Sequence, residues 1–189
     1  MSLPLLLASK SPRRRQLLGR ITSHFEIHTE EVEELIHHPE GPDCLAETNA
    51  ILKATAVSSK FPNSLVIGSD TVVAYHGNSL GKPKDLAHAR EMLRSLSGRE
   101  HEVFSGVALE SDGLDIHESW VVRSAVKFFD LGEEQIDYYL GAIDFKQFAG
   151  AYPIQHLLGS LTAGFEGSYS NIVGLPLERL QIRLNALRK

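Results

Sequence analysis

The sequence predicts an α/β fold. Short apolar runs of strand length alternate with segments of helical periodicity, and clusters of turn residues separate them at close spacing. The 189 residues suffice for one well-buried core, and no linker divides 1–189 into independent domains. A sheet covered by helices is therefore favoured over an all-helical or all-β arrangement.

Taken in order, Leu5-Leu6-Leu7-Ala8 is too short to cross a membrane and suits a buried strand. Ser11 followed by Pro12 reads as an N-cap and first helical position, so a helix starts there and continues through Gln16-Leu17-Leu18. Its free N–H groups and dipole favour an anion, and Arg13 and Arg14 add charge suited to phosphate oxygens; an ordinary capped helix with solvated arginines would carry the same residues. Residues 25–29 suit a strand, and the acidic stretch Glu30-Glu31-Val32-Glu33-Glu34 leads towards a helix near 42–59 that carries Lys53. Leu65-Val66-Ile67 and Thr71-Val72-Val73-Ala74-Tyr75 read as strand-like runs with Gly68-Ser69-Asp70 between them, which puts Asp70 at a strand end. His76-Gly77-Asn78 is a turn, and Asp85 caps a helix whose Ala89, Met92, Leu93 and Leu96 share one face before Gly98 ends it. Residues 101–129 form a long hairpin turning at Ser111-Asp112-Gly113, with Trp120, Val122, Val126 and Phe128 on one face. Ile136, Tyr139 and Leu140 mark a short helix, and Leu177, Leu180, Leu184 and Leu187 a terminal amphipathic one. Between them, Gly150-Ala151-Tyr152-Pro153-Ile154-Gln155 is a small-residue loop that lets a ligand approach the backbone.

A net charge of −5 argues against a nucleic-acid footprint and leaves a small polyanion as the expected partner. The single cysteine, Cys44, excludes an internal disulfide and a thiolate-based zinc site, and the nine histidines show no metal-ligand spacing: His37 and His38 are adjacent, and His101 supports a strand. The N-terminal apolar run lacks a basic leader, so a cytoplasmic protein that does not enter a membrane is expected. Gly77-Asn78-Ser79-Leu80-Gly81 satisfies the Gly-x-Ser-x-Gly pattern of serine hydrolases, but that elbow needs a helix at the serine and Gly81-Lys82-Pro83 intervenes. No P-loop pattern is present.

Seven ordered blocks carry a resemblance that spans nearly the whole chain. They are Leu7-Ala8-Ser9-Lys10-Ser11-Pro12-Arg13-Arg14, Lys53-Ala54, Gly68-Ser69-Asp70-Thr71-Val72-Val73, Gly81-Lys82-Pro83, Ser97-Gly98 with His101 and Ser105-Gly106-Val107, Gly150-Ala151-Tyr152 with Ile154-Gln155, and Asn171-Ile172-Val173-Gly174-Leu175-Pro176-Leu177. In these the chain resembles the Maf proteins, nucleoside triphosphate pyrophosphatases also described as septum formation inhibitors. The resemblance implies an elongated mixed sheet flanked by helices, with a central cleft between two lobes. It also implies a divalent cation, Mg²⁺ or Mn²⁺, cleavage of a nucleotide to its monophosphate and pyrophosphate, and a homodimer as a fitting assembly.

Residue roles follow from the same resemblance. A triphosphate repels both carboxylates and an attacking hydroxide, so Arg13, Lys53 and Lys82 are expected to gather it, with Ser9 and Arg14 also on the substrate; Lys10 and Arg14 are the weaker members, since one of them can point to solvent. Asp70 is expected to be the general base or a metal-linked carboxylate, with Lys53 and Lys82 beside it in the catalytic set. Glu34 is the candidate second metal ligand, although Glu30, Glu31 and Glu33 crowd the same stretch and a solvated acidic face is the alternative. Arg13, Thr71 and Gln155 together resemble the subgroup acting on dTTP and UTP, in which a glutamine amide suits the edge of a pyrimidine; the subgroup acting on 7-methyl-GTP typically carries tryptophan in place of Arg13. One departure stands out: Gln147-Phe148 occupies the place where the family commonly has Asp-Lys, with Asp144 and Lys146 nearby. The competing readings are a nucleotide-binding regulator of cell division with little turnover, and a 7-methyl-GTP-type pyrophosphatase. The presence of Asp70, Lys53 and Lys82 favours turnover.

Overall fold

A computed structural model describes residues 3–154 and 161–187. In chain order the elements are β1 (Leu5–Leu7), α1 (Pro12–Leu18), β2 (Glu26–Ile27), α2 (Pro42–Ser58), β3 (Leu65–Tyr75), β4 (Asn78–Leu80), α3 (Leu86–Leu96), β5 (Glu100–Ser111), β6 (Ile116–Phe128), α4 (Glu133–Ala142), β7 (Thr162–Glu166), α5 (Tyr169–Val173) and α6 (Leu177–Leu187). One mixed seven-stranded sheet holds the strands in the order β2-β1-β3-β5-β6-β7, with β4 added to β3. The β2-β1-β3 portion is parallel and the remainder antiparallel. The expected α/β class is thus observed, and no helix among the described residues is long and apolar enough to cross a membrane.

Strand alternation divides the core between the two faces. Leu5, Leu7, Leu65, Ile67, Val107 and Leu109 pack with Leu17 and Leu18 of α1, Leu93 and Leu96 of α3, Ile136 of α4 and Leu180 of α6. Leu6, Ala8, Val66 and Ala108 point the other way, under Ala50, Ala54 and Val57 of α2. Burial on both faces explains why β1 is continuously apolar rather than alternating.

The main correction concerns β3. Residues 65–75 form one strand of 11 residues, not two runs with a turn between them, so Asp70 lies mid-strand, opposite Gly106 of β5. Gly68 and Gly106 are there for close approach: a Cβ on Gly68 would stand 2.2 Å from the Ala50 carbonyl oxygen, and one on Gly106 2.2 Å from that of Ala46. The two glycines let the α2 backbone settle directly on the sheet. Gly106→Ala is therefore expected to lower stability by about 1–3 kcal/mol through overpacking, read as a lower urea midpoint. An unchanged midpoint would contradict this close contact.

The connections account for other expectations. His76 and Gly77 both have positive φ, 50° and 75°, in a two-residue turn between β3 and β4. Ser79 consequently sits in β4, well before α3 begins at Leu86, and the serine-hydrolase elbow is excluded. Asp85 caps α3 by accepting from the His88 N–H at 2.8 Å. The long hairpin turns at residues 112–114, where Ser58 at the end of α2 donates to the Asp112 carboxylate at 2.7 Å. Three elements had no sequence expectation, β4, β7 and α5, and Asn78, expected in the turn, begins β4. The two strands are short, and α5 has five residues, too few to show amphipathic periodicity.

Candidate active site

Strand β1 ends early, and this opens the site. The Ala8 N–H still bonds the Ile67 carbonyl at 2.8 Å, but β4 pairs with β3 only from Val73 onward, so the edge of β3 between them has no strand partner. A cleft of about 750 Å³ lies here, beyond the carboxyl ends of the parallel strands β1 and β2, where open α/β sheets commonly bind ligands. It is lined by Ser9, Arg13, Arg14, Glu34, Lys53, Asp70, Thr71 and Lys82. These are the site residues predicted from sequence, except Gln155, which lies outside the described residues.

Asp70 and Lys53 form the centre. The Lys53 ammonium stands 2.7 Å from Asp70 Oδ1 and 2.6 Å from Glu34 Oε2, with the Lys53 and Asp70 side chains only 14% and 15% exposed. Asn49 Nδ2 donates to the second Asp70 oxygen at 3.3 Å. The Asn49 amide also grips the backbone of Leu35, accepting from its N–H at 2.8 Å and donating to its carbonyl at 3.0 Å, which holds the segment carrying Glu34 against α2. Sequence reasoning missed Asn49. Its signal was the four-residue spacing to Lys53, which places both on one face of α2, and the presence of an asparagine inside a helix, where it is unfavourable unless its amide is engaged.

Arg13 and Arg14 are adjacent in sequence but do different things. Arg14 is built into the wall: Nε donates to the Gly174 carbonyl at 2.9 Å, Nη1 to Ser9 Oγ at 3.2 Å and Nη2 to Thr71 Oγ1 at 3.1 Å, with Asp70 Oδ1 4.0 Å away. Burial pushes its pKa down, and Asp70 and Glu34 act in the opposite direction. Thr71 Oγ1 lies 2.9 Å from Ser105 Oγ, and Ser105 donates to the Asn171 carbonyl. Thus Arg14, Ser9 and Thr71, expected as substrate contacts, already have polar partners within the wall. Arg13 instead lies across the ring of Phe148, its guanidinium carbon 4.6 Å from the centroid. Lys82, in the turn after β4, makes no hydrogen bond or ion pair among the described residues, so its ammonium is available to a ligand.

The block from Asn171 to Gly174 had no assigned role, and the structure supplies one. The Gly174 carbonyl accepts from Arg14, from Ser69 at 3.1 Å and from Thr71 at 3.4 Å. Buried Asn171 donates to the Val103 carbonyl at 3.1 Å and to Ser124 Oγ at 2.9 Å. This turn ties β3, β5 and β6 to the arginine at the cleft wall. The Gln147-Phe148 departure is also resolved: both residues line the cleft, and Lys146 does not.

Tyr152, which also lines the cleft, is anchored by His101 of β5, whose Nε2 pairs with the tyrosine hydroxyl while Phe128 contacts both rings edge-on. Burial lowers the His101 pKa from 6.5 to about 4. The unfolded chain then takes up a proton near pH 6.5 that the folded chain refuses until about pH 4, so stability is full above 6.5 and falls as pH drops between these values. The loss should reach about 3 kcal/mol. Urea midpoints measured across this range should slope accordingly, and His101→Gln should remove that part of the slope.

The carboxylates of Glu34 and Asp70 meet the same ammonium and are all-oxygen donors, a set that fits Mg²⁺ or Mn²⁺ completed by water and phosphate oxygens. A separate surface group, His38, Glu40 and Cys44, has ligand atoms within 4.8 Å of one another, and none of the three lines the cleft. Cys44 is therefore not isolated from other ligand types, although a single thiol makes no thiolate-rich centre.

The sequence model of the family described as Maf-like protein matches residues 4–187. The chain belongs to this Maf-like family. Similar proteins include the dTTP/UTP pyrophosphatase of Symbiobacterium thermophilum, 45% identical over 93% of this chain and 89% of that one. Those of a Geobacillus species and of Carboxydothermus hydrogenoformans are each 44% identical, covering 93% and 92% of this chain and 93% of each relative. Among solved structures, the Staphylococcus aureus Ham1 protein superposes with a TM-score of 0.59 over 97% of this chain and 99% of that one, at 16% identity, a likeness of fold alone. Most of the sequence blocks that carry the resemblance contribute residues that line the cleft or brace its wall, whereas Ser97 and Gly98 bond to residues 129–131 away from it.

Proposed function

We propose that this chain hydrolyses dTTP and UTP between the α and β phosphates, yielding the nucleoside monophosphate and pyrophosphate. The observation that carries this reading is the gathering of Arg13, Lys53, Lys82 and Asp70, from four separate segments, around one cleft. The dTTP/UTP pyrophosphatases among its relatives support the choice of substrate.

Arg13 and Lys82 reach phosphate oxygens, and Lys53 lowers the repulsion between the polyphosphate and the carboxylates. Asp70 uses Oδ1 for Lys53 and Oδ2 for Asn49, and a carboxylate has lone pairs left for a water. The water oxygen bonds to the α phosphorus, its proton passes to Asp70, and the bond from that phosphorus to the bridging oxygen breaks with its electrons leaving on pyrophosphate. Glu34 and Asp70 would hold the divalent cation, which supplies charge neutralisation at the phosphates. Gln155, next in sequence after the cleft residue Ile154, offers a donor and an acceptor to the pyrimidine edge. Two copies of the chain are the expected assembly.

The test is pyrophosphate release by the purified protein with Mg²⁺ or Mn²⁺ and a panel of dTTP, UTP, ITP and 7-methyl-GTP. Preferred release from dTTP and UTP is the expected result. Saturable binding without release would sink the enzymatic reading, and preference for 7-methyl-GTP or ITP would overturn the substrate while sparing the reaction.

A further inference from the structure

We propose that Phe148 is a positioning residue for Arg13: its ring holds the guanidinium over the cleft with the N–H donors left open to polyphosphate. This rests on the reading of the cleft as a triphosphate site. Arg13 lies on α1 and Phe148 follows the single helical turn 145–147, so the contact joins two distant parts of the cleft lining. The guanidinium carbon is 4.6 Å from the ring centroid, well inside cation–π range. Among the described residues, the Arg13 side chain has no hydrogen bond or ion pair, whereas the Arg14 side chain has three hydrogen bonds.

The choice of partner matters chemically. A carboxylate at position 148 would occupy the guanidinium donors and compete with phosphate, and an ammonium would repel it. An aromatic face attracts the cation through its quadrupole and takes none of the N–H groups. Such support is needed, because burial and the charge of Arg14 both disfavour a cation at Arg13. The ring is itself placed by its backbone: the Phe148 N–H bonds the Phe145 carbonyl, and the Phe148 carbonyl accepts from Ala151, each at 3.1 Å.

Calorimetric binding of inorganic tripolyphosphate tests this without requiring turnover. Phe148→Ala and Phe148→Leu should each weaken binding about 2- to 5-fold, while Phe148→Tyr, which keeps the aromatic face, should restore wild-type affinity. In an Arg13→Ala background, Phe148→Ala should have almost no further effect, because the ring acts through the arginine. Wild-type affinity in Phe148→Leu would show that the ring only fills space, and an undiminished effect in the Arg13→Ala background would show that it acts on the ligand directly; either result overturns the proposal, as does a wild-type protein that does not bind tripolyphosphate. Binding that follows the expected pattern, in a protein that releases no pyrophosphate from any nucleotide, would leave this pairing intact and reject the proposed reaction instead. Thermal midpoints of the variants separate unfolding from loss of aim.

Discussion

Asp70→Asn is expected to lower pyrophosphate release by about 100- to 10,000-fold, with dTTP affinity changed by no more than about 3-fold, since the proposed reaction assigns substrate binding to the cations. The amide has nearly the shape of the carboxylate and keeps an acceptor for Lys53, whose ammonium also retains Glu34 as a partner. It cannot accept the proton of the attacking water, and it is a poorer ligand for a divalent cation. Single-turnover rates alongside equilibrium binding would separate these effects. A variant retaining more than about a tenth of the wild-type rate would remove Asp70 from the chemical step.

Arg14→Ala should cost about 3 kcal/mol of folding stability, at the low end of the range for breaking a buried charged network. Several acceptors are not wholly abandoned. Ser69 still donates to the Gly174 carbonyl, Ser105 still pairs with Thr71, and Lys53 still faces Asp70. What is lost is the one group that reaches Ser9, Thr71 and Gly174 together. Arg14→Lys should be only partly better, because an ammonium keeps the charge but not the planar fork of donors. Urea unfolding measures both variants; a loss below about 1 kcal/mol in Arg14→Ala would mean that the wall does not depend on this arginine.

The site was legible as a set of residue types and illegible as a set of partnerships. Arg13 and Arg14 look equivalent in sequence, yet one lies on an aromatic ring and the other is locked between three segments. Gly68 and Ser69 interrupt the apolar run with residues that commonly mark turns. The glycine is instead required by the carbonyl of Ala50, on a helix whose approach cannot be inferred from residues 65–75. Asn49 escaped notice for a related reason: its function is to grip the backbone of Leu35, and a backbone partner leaves no mark in a pattern of side chains. Elements with clear periodicity were anticipated, as with the face Ala89, Met92, Leu93 and Leu96 of α3, whereas five-residue α5 and edge strand β7 had too little pattern to be seen.

Periodicity and turn chemistry act over a few neighbouring residues, and so the α/β class, the order of most elements and the supply of cations and carboxylates were already written in the chain. Which ammonium meets which carboxylate was not. That depends on distances of a few ångströms between segments far apart in sequence, set here by the close seating of α2 on Gly68 and Gly106 and by the turn ending at Gly174. Hydrogen bonds and ion pairs change greatly over such distances, which is why packing, rather than composition, set the Lys53–Asp70 pair and the Arg14 contacts beside it.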